Sequence, residues 1–379
     1  MSRFALFESL EQRICFRVEG VDVSVFQGAI NWNTLAANNK QFAFVRSSRT
    51  NLDLDPNLHQ NMAGAKAAGV LTGVYQRVLP MGEAEGGVYT DPITDANRFY
   101  NAGGQYMGAG YLRPVIDAED GSSLGKVALS KWVNDFSTEL TRLSGVVPII
   151  YASSNYATNF LDTSVSARHD FWIARWNGGN ANNVNPQTDQ PETAAGYVNP
   201  YGSWNVPVGG APSHSSWDFW QYTSNGDGIA LGVSSSRLDL DVFQGDMEQL
   251  KQGFLTAYQF AFGGTPITVG AGTSTLQAED FDNGGQGNAF NDTTPTNLGG
   301  AYRPNLAVDI KTIAGTTGQY RISDGVKGEW LEYTVNIAQA GQYKLDFRVG
   351  NRDPGGTFHL EREGAGNITG ALSVPDTNS

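Results

Sequence analysis

An α/β fold is predicted: an irregular β/α barrel of the TIM-like kind, followed by a partial all-β sandwich. Three observations predict it. Between Val18 and about Phe254, eight apolar strand-like runs recur, with helical patterns between several of them. Beyond about residue 275 the texture changes to short alternating runs separated by Gly-rich turns. The chain of 379 residues is also too long for one ordinary core.

The strand-like runs are 20–26 (GVDVSVF), 42–47, 70–78, 111–118, 146–152, 170–176, 217–223 and 238–243. The clearest helix spans 126–143, where Trp132, Val133, Phe136, Leu140 and Leu143 recur at helical spacing. Shorter helices are expected over 56–68, 92–102 and 154–161. Such alternation predicts a parallel sheet covered on both faces, closing into a barrel. No convincing helix separates the last strands, so the last third is expected to be irregular. Residues 177–215 form a long Gly-, Asn- and Pro-rich segment, whose Tyr197, Tyr201 and Trp204 can line a cleft or pack on one another. The small and polar run FGGTPITVGAGTST, 262–275, reads as a linker. After it, GEWLEYTVNI and GQYKLDFRVG alternate polar and apolar residues, as half-buried antiparallel strands do. The expected division is an extension over 1–17, a barrel over 18–258, a linker over 259–275 and an incomplete sandwich over 276–379.

Composition narrows the function. A net charge of −13 argues against a nucleic-acid or anionic-membrane partner, which needs Lys and Arg. Cys15 is the single cysteine, so no disulfide framework or thiolate cluster is available. His59, His169, His214 and His359 show no metal-ligand spacing and read as surface or loop residues. No apolar run reaches the ~18 residues that span a bilayer. The first 20 residues lack the apolar stretch of a secretory signal, interrupted as they are by Glu8, Glu11 and Arg13. They do resemble a short FExLExR tag near the start of some large exported bacterial proteins, or they are a plain N-terminal extension.

The chemistry concentrates in acids at strand ends. In YLRPVIDAEDGSS, 111–123, Val115, Asp117 and Glu119 share one face of an extended chain. Asp22 in GVDVSVFQG and Asp239 in RLDLDVFQG lie in two further strands. A barrel gathers strand C-terminal ends around one pocket, so remote acids can meet there. Clustered carboxylates push each other's pKa values apart, leaving one as an acid while another stays charged. Glycoside hydrolysis needs such a set. Tyr75, Tyr151, Trp172, Trp176, Trp217, Trp220 and Tyr222 lie in or beside strand ends, where aromatic faces can stack on sugar rings. Two other readings remain open at this point: the acids can bind Mg²⁺ or Ca²⁺, or pair structurally with Arg46 or Arg175.

GVDVSVFQGAINW, PVIDAED, PIIYASS, FWIARW, WDFWQYT and LDLDVFQG occur in this order. Together they resemble glycoside hydrolase family 25, the Chalaropsis-type lysozymes, over roughly residues 20–250. The resemblance implies an irregular β/α barrel and cleavage of the β-1,4 bond after N-acetylmuramic acid in peptidoglycan, without a catalytic cofactor. It implies Glu119 as general acid/base, Asp117 as the acid that holds the substrate's acetamido group or the intermediate, Asp22 on the pocket floor and Asp239 from the last strand motif. Tyr75, Tyr151, Trp176, Gln221 and Tyr222 fall where the family lines its groove. Either a carboxylate or the substrate's own acetamido oxygen serves as nucleophile. RSSRT, 46–50, departs from the family's Lys-Ala-Thr-Glu-Gly and puts Arg49 where an acid is usual. A glycosidase for another N-acetylated polysaccharide, or a non-catalytic glycan-binding surface protein, are the alternative expectations.

Residues 275–379 resemble a family 6 carbohydrate-binding module through LQAEDFD, AYRPNLAVDI, GQYRIS, GEWLEYTVNIAQAGQYKLDFRVG and GGTFHLE. That resemblance implies a glycan-binding β-sandwich with a structural Ca²⁺, Glu279 serving the calcium and Tyr320 stacking on sugar. The chain ends at VPDTNS, short of the family's final strands, so a truncated module is expected. The expected location is secreted or cell-surface, and the expected partner is peptidoglycan or a related polysaccharide.

Overall fold

The computed structural model describes residues 18–49, 54–80, 91–176, 200–201, 217–351 and 355–377. The N-terminal extension, Tyr197, Trp204 and the Arg49 side chain lie outside what is described.

Eight strands close into a barrel in sequence order: β1 (Val18–Val23), β2 (Lys40–Arg49), β3 (Leu71–Arg77), β4 (Val115–Asp117), β5 (Ile149–Ser153), β6 (Phe171–Ala174), β7 (Phe219–Asp227) and β8 (Arg237–Phe243). The pairs from β1 to β7 are parallel. β8 runs antiparallel to both β7 and β1, which departs from the all-parallel expectation. The reason is local. Only residues 228–236 join β7 to β8, too few for a crossover helix, so the chain returns as a hairpin.

Helices cover the barrel: α1 (Trp32–Ala37), α2 (Leu58–Ala67), α3 (Pro92–Gly103), α4 (Lys126–Ser144), α5 (Ser154–Phe160), α6 (Thr163–Ser166) and α7 (Met247–Phe254). In α4 the periodic Trp132, Val133, Phe136 and Leu140 are buried, and the helix stops at Gly145, whose φ of 74° suits a residue without Cβ. The sequence reading missed α1, α6 and α7. Asp246 and Gln249 form a capping box on α7, a signal legible in the spacing Asp-x-x-Gln. His169, expected near the surface, is buried and bonded to Ser137 Oγ and the Val165 carbonyl.

Strand alternation sorts side chains into two layers. Ile116, Ile150, Ile173, Trp220 and Leu240 face outward to the helices, in one large buried cluster. Phe42, Phe44, Val115, Trp172, Phe219 and Phe243 fill the barrel, in another. Phe219 packs edge-on against Phe42 at 5.4 Å and Phe44 at 5.3 Å, between ring centroids. α7 closes the end where β1 begins, with Phe254 against Phe219 and Phe243 at 4.8 and 5.5 Å. Gly20 is glycine because a Cβ there would come within 2.4 Å of the Phe42 ring. The lower barrel is thus filled by aromatic side chains, and the open space lies at the other mouth.

The C-terminal region is built of short two-stranded ladders, such as Ile310–Thr312 with Tyr320–Ile322 and Phe290–Asn291 with Trp330–Leu331. Phe281, Ala289, Phe290, Val308 and Ile310 make a small core there. The run 341–350, expected as a strand, is exposed and joins no ladder among the described residues; alternation alone does not make a strand without a neighbour to bond. Among the described residues, those within 18–265 and 277–334 form one compact unit, and those within 266–276 and 335–377 a second. Within the expected linker, Phe260 bonds to Asn283 through both backbone groups, and Ile267–Val269 pairs with Val335–Ile337.

Candidate active site

At the open mouth lies a cavity of about 310 Å³, lined by Asp22, Asp117, Glu119 and Asp239 together. Each acid arrives by a backbone rule. Asp22 sits near the end of β1, and the antiparallel register places Asp239 directly across from it on β8. Asp117 ends β4, in register between Arg77 of β3 and Tyr151 of β5. Glu119 lies two residues past the strand end, less buried than Asp117. Val115, Asp117 and Glu119 keep one face as the alternation predicts, while Ile116 and Ala118 join the outer layer.

Gln221 organises the floor. Its Nε2 donates to Asp22 Oδ2 at 2.7 Å. Its Oε1 accepts from the Tyr151 hydroxyl at 3.0 Å and from Trp176 Nε1 at 3.1 Å. Tyr75 and Trp172 complete the set of sequence-predicted residues that line the cavity. Tyr222 does not. It alternates with Gln221, so it points the other way, fully buried in the outer layer, as do Trp217 and Trp220. Tyr201 is buried against Phe171.

Several lining residues escaped the sequence reading. Arg77 lies two positions after Tyr75, on the same strand face, and pairs with Asp120 at 2.8 Å. Arg46, expected from sequence as a structural partner of the acids, lines the cavity while bonded to buried Asp55. Ser24, Phe26 and Gln27 line it from the turn after β1. Asp241, two positions after Asp239, is fully buried, and one of its oxygens accepts from Trp172 Nε1 at 2.8 Å. Same-face spacing identifies both Arg77 and Asp241.

The electrostatics follow from burial. Asp22 is pushed well above the ordinary carboxylate range, first by desolvation, then by Asp239 and Asp241, against the opposing bond from Gln221. Asp117 is also pushed well above it, by burial and by Glu119, opposed by Arg77. Burial raises Asp239 to about 6, with Glu119 adding to it. Glu119 is raised by burial, and Arg77 opposes that rise. Asp117 Oδ1 is buried without a hydrogen-bond partner among the described residues. A neutral carboxyl with an uncommitted oxygen beside a sugar-sized space can bond a ligand's amide or hydroxyl.

The C-terminal candidates stand apart from this cavity. Tyr320 is half-buried, its ring 4.6 Å from that of Tyr302. Glu279 is buried, but no group of three or more His, Cys, Asp or Glu side chains able to hold a metal gathers among the described residues. No helix among those residues is long and apolar enough to cross a membrane.

Residues 301–379 match the model of carbohydrate binding module (family 6). Lysozyme M1 of Streptomyces globisporus is 24% identical over 242 residues, covering 62% of this chain and 70% of that protein. A bacterial lysozyme structure from Streptomyces coelicolor is similar at TM-score 0.45 and 24% identity, covering 62% of this chain and 96% of that one. A family GH25 lysozyme from Aspergillus fumigatus is similar at TM-score 0.45 and 19% identity, covering 62% and 98%. The model of glycosyl hydrolases family 25 matches residues 21–229, the stretch that delivers Asp22, Asp117 and Glu119 to the cavity, and over more than half its length the chain therefore belongs to that family.

Proposed function

We propose that the protein is a lysozyme-type muramidase that hydrolyses β-1,4 bonds between N-acetylmuramic acid and N-acetylglucosamine in peptidoglycan. The observation that carries this reading is the meeting of Asp22, Asp117, Glu119 and Asp239 in one aromatic-walled cavity at the barrel mouth. Glu119 is the general acid. Burial keeps its carboxyl protonated above the usual range, ready to protonate the leaving glycosidic oxygen. Asp117, held neutral, bonds the substrate's acetamido group through its uncommitted oxygen. Asp239, raised only to about 6, supplies the negative charge that supports the oxocarbenium-like centre at neutral pH, and Asp22, oriented by Gln221, adds to it once it ionises at higher pH. Tyr75, Tyr151 and Trp176 wall the sugar, with Gln221 beneath. No step needs a metal or cofactor.

Peptidoglycan is an extracellular polymer, so this reading places the protein outside the cell or at its surface. The domain division of 18–258 for catalysis, 259–275 between, and 276–379 for glycan binding belongs to the same proposal, with Tyr320 as the module's stacking residue.

Turnover of purified peptidoglycan, followed by new reducing ends, tests the proposal. Glu119→Gln should lower it by about 10²- to 10⁴-fold. Wild-type activity should fall as pH rises through the raised pKa of Glu119, because the donor is then ionised. Product analysis on chitin-like polymers discriminates the alternative substrate. Binding without turnover by the wild type would refute the enzymatic reading.

A further inference from the structure

Phe26 is an exposed aromatic on an unusually well-fixed turn. The ring is 65% exposed and lines the cavity. The turn Val25–Gln27 carries a capping box at its N-terminal end: Ser24 Oγ accepts from the Phe26 N–H, and Gln27 Oε1 accepts from the Ser24 N–H. Buried Asp55 clamps it from behind. One carboxylate oxygen, Oδ2, accepts from the Val25 N–H at 2.9 Å, from Arg46 Nε at 2.9 Å and from Arg46 Nη2 at 2.8 Å. The Arg46 guanidinium in turn lies 5.0 Å from the Phe26 ring centroid. An apolar ring is thus held in water at the cavity edge by a buried ion pair and three backbone-directed bonds. Core packing does not account for that arrangement, because the ring itself is not buried.

We propose that Phe26 is a sugar-stacking platform: a binding position for one pyranose ring of the glycan, set on the β1 side of the cleft and stiffened by Arg46 and Asp55. The proposal deepens the glycan-hydrolase reading and rests on it. The chemistry of the ligand follows from the surroundings. Hydroxyl and amide groups such as Ser24 and Gln27, beside Phe26 in the same lining, suit a polyhydroxylated ring. A pyranose presents a flat C–H face to Phe26 and its hydroxyls to those neighbours. Trp176, 60% exposed on a different side of the mouth, offers the cleft a second aromatic surface.

The test is binding of a soluble N-acetylated glycan hexamer from peptidoglycan, by titration calorimetry, in a Glu119→Gln background that prevents turnover. Adding Phe26→Ala should weaken binding roughly tenfold, about 1.4 kcal/mol. Phe26→Trp and Phe26→Tyr should restore it. Phe26→Leu, which keeps apolar cover over Arg46 but has no flat face, should behave as Phe26→Ala. Thermal unfolding of all four variants should match their parent, since an exposed ring is altered. Wild-type-like binding by the Ala or Leu variant overturns the platform, as does failure of the Trp variant to recover. Absence of any binding to the Glu119→Gln parent also overturns it. An enzyme that turns over peptidoglycan normally with Phe26→Ala refutes the platform alone, whereas a wild type without turnover refutes the muramidase reading alone.

Discussion

Replacing Asp239 by Asn should make the protein more stable at neutral pH while it damages the site. Asp239 titrates at about 6 in the fold against an ordinary 3.8, because burial and Glu119 disfavour its charge. The sign follows from proton linkage. Below about pH 4 both folded and unfolded chains carry the proton, and Asp239 makes no difference. Between about 4 and 6 the unfolded chain ionises first, so folding becomes less favourable as pH rises. Above that the loss is constant, at most about 3 kcal/mol, from about 1.4 kcal/mol for each pH unit between the two values. An asparagine amide at this position has no charge to lose. The stability difference between Asp239→Asn and wild type should therefore grow by up to about 3 kcal/mol from pH 4 to pH 7. Urea unfolding followed by tryptophan fluorescence reads the barrel, because every tryptophan except Trp330 precedes residue 221. A stability difference that stays flat from pH 4 to 7, or that moves against the variant, would refute the argument.

Two further substitutions probe the architecture around the acids. Gln221→Leu removes the donor that opposes the rise of Asp22 and the shared acceptor of Tyr151 and Trp176; it should cost about 2 kcal/mol of stability in urea unfolding and shift the pH–rate profile upward, since Asp22 would keep its proton to higher pH. Gly20→Ala drives a Cβ into the Phe42 ring; a loss of about 1–3 kcal/mol is expected, visible as a lower thermal midpoint with the cavity residues unchanged.

The barrel was legible because its strands are apolar runs and α4 repeats at 3.6 residues, signals that burial imposes directly on sequence. The reversed β8 was not, because an apolar run looks the same read in either direction. The acids were legible as same-face residues at strand ends, and the same spacing marks Arg77, two positions after Tyr75, as a lining residue and Asp241, two after Asp239, as a buried acid. Tyr222 was misplaced by neglecting the same rule, since Gln221 and Tyr222 cannot both face the cavity. In the C-terminal region, alternation along 341–350 promised a strand, but a ladder needs a partner, which a single run of sequence does not reveal.

The reversed β8 changes which loops can be rewritten. In an all-parallel barrel the connection leading into a strand emerges at the end away from the chemistry. Here the hairpin 228–236 leads into β8 at the catalytic end, and Ser234 and Ser235 bond back to Ala29 and Gln27 beside the turn that carries Phe26. Lengthening or grafting that hairpin would remodel the rim of the cleft from a segment that carries none of its acids, which makes it a natural place for relatives of one scaffold to diverge in the glycans they accept.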